Sequence, residues 1–240
     1  MSGVSREAHL GLPFANPMSE GAHAEAVAGL ALRGGARVVD TGCGAGELLI
    51  RVLEAHPGWT GTGVDVDGVT LERARKAAAG RIGAGRVRFV ESAAESAGLW
   101  PGAYDLAMNV GSSHVHGGTA GALAAMAVLV RPGGLAILGE GYWRRRPSVV
   151  FLAALGGASE GELTDFQGLL ASTRTAGCAV EGEWHASDGD WEAYETSLAK
   201  AAERMAGDEA QRYAATIRGR RALPDCDTLG FALLRLRRAG

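Results

Sequence analysis

The sequence predicts an α/β fold: a mainly parallel sheet with helices on both faces. Three observations predict it. Between residues 37 and 140, short apolar segments rich in β-branched residues alternate with stretches of helical periodicity. That alternation builds right-handed crossovers onto a parallel sheet. The stretch Arg37-Val38-Val39-Asp40-Thr41-Gly42-Cys43-Gly44-Ala45-Gly46-Glu47 reads as strand, tight turn and helix start. Finally, Asp40, Asp65, Glu91, Asn109 and Glu140 all fall at the carboxyl ends of predicted strands. In open sheets of this kind ligands bind outside those ends.

Each element follows from local chemistry. Residues 1–18 show no periodicity, and Ser19 is placed to cap a helix reaching about Leu32, closed by Gly34-Gly35. Val38 and Val39 form the first strand, and Leu48 to Leu53 supply the apolar face of the helix that follows, ending at His56-Pro57-Gly58. A second strand, 61–65, ends in Asp65, and Asp67 is placed to cap a helix over 68–79. Val87 to Val90 alternate as a third strand, Tyr104 to Val110 form a fourth, and 118–130 is a helix with Leu123, Met126 and Val130 on one face. Arg131-Pro132-Gly133-Gly134 suits a type II turn, and Leu135 to Gly139 form a fifth strand ending at Glu140. Thr164 and Gln167 frame a helix over 165–176, and Cys178, Val180 and Trp184 alternate as a sixth strand. Helical stripes run through Trp191, Tyr194, Leu198, Ala202 and Met205 and through Ala210, Ala214 and Ile217, before a last strand at 229–236. The helices at 188–221 lie between two strands, so they read as a cap inserted into one domain spanning 1–240.

Composition narrows the function. With 47% hydrophobic residues the chain can bury a sizeable core, and a net charge of −3 with no basic stripe excludes a general nucleic-acid surface. Cys43, Cys178 and Cys226 are odd in number and far apart, which fits a reducing compartment and no metal site. The N-terminus has no basic-then-apolar leader, and no apolar run approaches the ~20 residues of a membrane helix. The expectation is a soluble cytoplasmic protein, without membrane partner, as monomer or homodimer.

The glycine turn defines the ligand. A dinucleotide fingerprint, G-x-G-x-x-G, needs its third glycine one residue later, where Glu47 stands. A carboxylate at that helix mouth would oppose a pyrophosphate, whereas Asp40 suits a ligand with an ammonium group. D-x-G-x-G-x-G over Asp40–Gly46, Asp65 after the second strand and the Pro-Gly-Gly turn before the fifth resemble the class I S-adenosylmethionine (SAM)-dependent methyltransferases. Asn16-Pro17-Met18-Ser19 and Gly139-Glu140-Gly141-Tyr142-Trp143 look like a bacterial branch of small, largely uncharacterised members.

That resemblance implies a Rossmann-like seven-stranded sheet with its last strand antiparallel and S-adenosylhomocysteine as product. It places Gly42, Cys43, Gly44 and Gly46 under the methionine and ribose, Asp40 at the amino end and Asp65 on the ribose hydroxyls. Adenine falls between Val66 and the loop at Ala93-Ala94, where family members often carry Asp-Ala. Glu91, Ser92, Glu95 or backbone groups are left to read the adenine amino group. Asn109 and Val110 offer backbone to the methionine. The acceptor is a small molecule with an oxygen, nitrogen or carbon nucleophile. No N/D-P-P-[YF] tetrapeptide follows the fourth strand; Asn109-Val110-Gly111-Ser112 stands there. The candidates for catalysis are His114, His116, Glu140 and Tyr142, with His114 the first to test as base. Tyr142 and Trp143 either wall the acceptor pocket or pack under the cap. Arg144-Arg145-Arg146 is either an anion receptor or a solvated basic turn. Residues 1–32, with Phe14 and Asn16, serve as a lid or a simple tether. Two other functions stay open: a nicotinamide-dependent oxidoreductase, and a SAM-binding protein without turnover.

Overall fold

The computed structural model describes residues 3–240. In chain order its elements are α1 (Gly3–His9), α2 (Glu20–Ala28), β1 (Arg37–Thr41), α3 (Glu47–Ala55), β2 (Thr60–Asp65), α4 (Gly68–Ala79), β3 (Val87–Glu91) and β4 (Tyr104–Val110). There follow α5 (Thr119–Leu129), β5 (Val130–Trp143), α6 (Val149–Ala154), α7 (Phe166–Thr175), β6 (Cys178–His185), α8 (Asp188–Glu203), α9 (Asp208–Arg221) and β7 (Leu229–Arg238). The seven strands form one sheet in the order β3-β2-β1-β4-β5-β7-β6. β1 pairs in parallel with β2 and β4, β2 with β3, and β4 with β5. β7 runs against both its neighbours. Ala239 N–H reaches Gly177 O at one end of β6 and Ala186 N–H reaches Phe231 O at the other, while Arg144 N–H bonds Thr228 O beside β5.

The central strands are apolar on both faces, as a covered parallel sheet requires. Val38, Val39, Leu106, Met108, Leu135, Ile137 and Leu138 are buried, and Leu48, Leu49, Ile50, Val52 and Leu53 on α3 are buried with them. The Asp67 carboxylate caps α4, accepting from the Val69 and Thr70 amides at 3.0 and 3.3 Å.

The chain divides into two compact units. One holds residues 20–140, 168–184 and 233–240, the other the residues up to Ser19 with 141–167 and 185–232. The second has its own core, in which Ala8 packs with Leu198, Ala199, Ala202, Ala214 and Ile217. Tyr194, from the stripe on α8, joins that core and bonds His9 Nε2 at 2.9 Å. Of the expected N-terminal lid over 1–32, residues 1 and 2 lie outside the described residues, and the rest is not one element. α1 packs on α8 and α9, α2 packs on α3 in the other unit, and α2 ends at Ala28.

Two further differences have physical causes. β5 does not start after the Pro-Gly-Gly turn. It runs from Val130 to Trp143, and a register shift against β4 between Tyr104 and Leu106 absorbs the turn residues. α6 was not legible because it is only six residues long, with Phe151 alone fully buried.

Candidate active site

The turn after β1 is built on three left-handed glycines, Gly42, Gly44 and Gly46. Two of them have distinct reasons. A side chain on Gly46 would meet the Phe89 ring at 2.8 Å and Ala74 at 3.1 Å, so that glycine serves packing of the turn against α4 and β3. A side chain on Gly44 would meet nothing nearer than Thr70 at 4.0 Å. Its missing Cβ leaves open space above the turn, which is what a close ligand needs.

Two acids stand close to one another beside that turn, at the ends of adjacent strands. Asp65 is locked by the backbone: Oδ2 accepts from Gly44 N–H at 2.8 Å and Oδ1 from Asp67 N–H at 3.0 Å. Each oxygen keeps a further lone pair. Val66, next along, is 66% exposed. Asp40 differs: it is 4% exposed and, among the described residues, has no hydrogen-bond partner. Burial, then the charge of Asp65, pushes its carboxyl up to about 8. Such a group waits for a cation. Cys43, between the acids, has its thiol raised by burial and by both carboxylates, so it stays protonated and unreactive.

Glu47 differs from the sequence expectation. Its carboxylate does not stand bare at the helix mouth. Arg51 holds it at 2.7 Å and Arg81, which also grips Glu54, at 2.7 Å. Burial would raise this carboxyl, but the two guanidiniums outweigh it and hold it low. A neutralised Glu47 gives no electrostatic argument against a pyrophosphate.

The loop after β4 is tied to the end of β1. Asn109, fully buried, gives Nδ2–H to Thr41 O at 2.7 Å, with Thr41 Oγ1 and Ser112 O at 3.2 and 3.3 Å, while its Oδ1 is buried without a partner. Ser112 Oγ donates to Gly42 O at 3.0 Å. Val110 is half-buried beside them. The two histidines of this loop separate. His114 is exposed. His116 is half-buried, its Nε2 is 3.0 Å from Thr41 Oγ1, and burial lowers its pKa against the opposing influence of Glu95.

Glu140, buried at the end of the first unit's part of β5, accepts from Thr119 Oγ1 at 3.0 Å. Ala93 and Ala94 are half-buried, with Ser92 Oγ bonded to Ala93 O at 2.9 Å and Ser92 N–H to Asp65 O. The Glu91 carboxylate lies over Gly68, within 3.0 Å of where a Cβ would be.

Tyr142 is bonded elsewhere. It lies in the other unit, 7% exposed, its ring over Gly230 and its hydroxyl 3.0 Å from His185 Nδ1. Trp143 gives its indole N–H to Glu160 O at 2.8 Å. The three arginines each find a carboxylate: Arg144 with Asp188, Arg145 with Asp227 and Arg146 with Glu160. The run is a set of surface ion pairs and no anion receptor. Among the described residues no group of three or more His, Cys, Asp or Glu side chains could hold a metal, and no helix is long and apolar enough to cross a membrane.

Sequence reasoning missed Thr41, Ser112 and Thr119. Thr41 adjoins a motif glycine, Ser112 follows Gly111 and Thr119 starts α5, all weak signals, and only the fold shows that they tie strand ends together.

The buried unpaired acid, the locked second acid and the open turn fit a nucleoside with a cationic tail. The family described as "Methyltransferase domain" matches residues 38–134. The uncharacterised protein YjhP of Escherichia coli K12 is 32% identical over 184 residues, covering 76% of this chain and 73% of its own. The crystal structure of YjhP superposes with a TM-score of 0.88 at 26% identity over 100% of both chains. A SAM-dependent methyltransferase from Geobacter sulfurreducens, solved with S-adenosylhomocysteine, has a TM-score of 0.86 at 27% identity over 98% of both chains.

Proposed function

The chain belongs to the class I SAM-dependent methyltransferases, and from that premise we propose that it methylates an oxygen, nitrogen or carbon nucleophile of a small molecule. Family membership removes the nicotinamide-dependent reading. When bound, SAM supplies an electrophilic methyl group on a sulfonium that needs no activation to leave.

The remaining work belongs to the chain's own residues. Asp40 takes the ammonium tail, with Asn109 Oδ1 as a second acceptor, and Asp65 takes the ribose hydroxyls on its free lone pairs. Gly42, Cys43, Gly44 and Gly46 lie under the methionine and ribose; Val66, Ala93 and Ala94 flank the adenine; Val110 offers backbone to the methionine. Holding donor and acceptor in line can supply ~7–11 kcal/mol. A base adds ~10²–10⁴-fold where the acceptor must lose a proton. Half-burial and lowered basicity keep His116 neutral near pH 7, so it is the base in this reading. His114 and Glu140 are second choices, and Tyr142, whose hydroxyl is bonded to His185, comes last.

The observation that carries the cofactor assignment is Asp40, a buried carboxyl with no partner of its own. Calorimetric titration of the protein with SAM, S-adenosylhomocysteine and NADH tests it, followed by S-adenosylhomocysteine release in a panel of phenols, amines, thiols and acidic carbon compounds. Saturable SAM binding that Asp40→Asn weakens, with turnover on at least one acceptor, is expected. Unchanged SAM affinity in Asp40→Asn would remove the assignment, and tight binding with no turnover on any acceptor would favour a SAM-binding protein without catalysis.

A further inference from the structure

We propose that Thr41 is a positioning residue: its side chain fixes His116 as the Nε2–H tautomer and leaves Nδ1 as the atom that accepts the acceptor's proton. The proposal rests on the reading of His116 as base. Three groups meet Thr41 Oγ1: Met108 O at 3.4 Å, Asn109 Nδ2 at 3.2 Å and His116 Nε2 at 3.0 Å. A carbonyl oxygen only accepts and an amide nitrogen only donates. The single Thr41 proton therefore goes to Met108 O, and the hydroxyl's two lone pairs are left for Asn109 Nδ2–H and for a proton on His116 Nε2. This is the one arrangement that satisfies all three contacts at once.

The scaffold holding the hydroxyl is rigid. Thr41 is 1% exposed at the end of β1, and Asn109, at 0%, clamps both its carbonyl and its hydroxyl from β4. The imidazole is therefore pinned at one nitrogen from the strand that carries the glycine turn. Among the described residues Nδ1 has no hydrogen-bond partner, and the charged group near the ring is Glu95. As the new bond from carbon to the acceptor atom forms and the carbon–sulfur bond breaks, the electron pair stays on sulfur and the acceptor's proton passes to Nδ1. The resulting imidazolium keeps its Nε2–H bond to Thr41 and gains the Glu95 charge. A neutral imidazole free to change tautomer would present the wrong nitrogen part of the time.

The test reads the tautomer directly. Full-length protein labelled with ¹⁵N-histidine and saturated with S-adenosylhomocysteine is examined by long-range ¹H–¹⁵N correlation, His116 being assigned by its loss in H116Q. Wild type and T41S should show Nε2 protonated and Nδ1 bare, whereas T41V, folded by its amide spectrum, should show a mixture of both tautomers. With any turned-over acceptor that carries a proton, T41V should lose kcat in proportion to the share of His116 left in the other tautomer, a several-fold loss, and T41S should restore it. A wild-type His116 protonated at Nδ1, or a T41V spectrum identical to wild type, overturns the proposal. H116Q turning over at the wild-type rate would instead remove the base itself, a failure distinct from that of the tautomer lock.

Discussion

Replacing Asp40 by Asn should flatten the pH dependence of stability. The carboxyl is 4% exposed and is pushed from an ordinary 3.8 up to about 8 by burial and by Asp65. Between those two pH values the folded chain holds a proton at Asp40 that the unfolded chain has released. Folding stability therefore falls as pH rises through that window, by the linkage of proton uptake to unfolding. One pKa unit is worth about 1.4 kcal/mol, which is also the limiting slope per pH unit due to this residue, so the change amounts to several kcal/mol between pH 4 and pH 8. That is a large share of the ~5–15 kcal/mol by which a domain is stable. Asn keeps the shape and cannot ionise. Urea unfolding followed by circular dichroism from pH 4.5 to 8.5 gives both curves, and their difference cancels every titrating group not coupled to Asp40, as Asp65 and Cys43 are. The variant should gain on wild type steadily as pH rises and level off above about 8. Curves that stay parallel within ~0.5 kcal/mol would refute the buried, unpaired state of Asp40. The same carboxyl must ionise to hold an ammonium, so SAM binding at pH 7 should release close to one proton, read calorimetrically in buffers of different ionisation enthalpy.

Four other substitutions test separate parts of the structure. Asp65→Ala should weaken SAM binding by ~1.5–3 kcal/mol, the range for hydrogen bonds to a charged group, and an unchanged titration would end the ribose assignment. Gly46→Ala forces a left-handed residue against Phe89 and Ala74 and should cost ~2–3 kcal/mol of stability, measured by urea unfolding. Gly44→Ala meets open space, so its stability cost should be near the ~1 kcal/mol of the backbone alone, while SAM affinity falls much further. Glu195, 3% exposed, is shared by Arg220 and Arg221. Glu195→Ala strands the largely buried Arg220 and should cost about 3 kcal/mol, also read by urea unfolding.

The legible parts of the fold were those set by neighbours in the chain. The helix over 68–79 was readable to the residue because Asp67 caps it and its apolar positions repeat at helical spacing. β4 was readable because an apolar run between turn residues can do little else. α1 escaped because seven residues carry too little periodicity; it is held by packing on α8 and α9 and by the His9–Tyr194 bond, formed with a partner 185 residues away. The same division runs through the site. Asp40, Asp65 and the glycines were identifiable because a strand-to-helix turn is a local motif. The choice between His114 and His116, two residues apart, was not, because it depends on which of them Thr41 meets across β1 and β4. Arg144 to Arg146 could be read as a receptor only while their carboxylate partners, the nearest 14 residues along the chain, were out of view.

The order of strands and helices, the glycine turn and the row of acids at strand ends were determined by the sequence itself, since each depends on propensities and spacings within some ten residues. The charge on those groups was decided only by the tertiary structure. Burial puts a proton on Asp40, two guanidiniums neutralise Glu47, and one threonine hydroxyl separates two histidines. Protonation and pairing follow from how much water and which charges surround a side chain, and that environment exists only once the distant segments have packed.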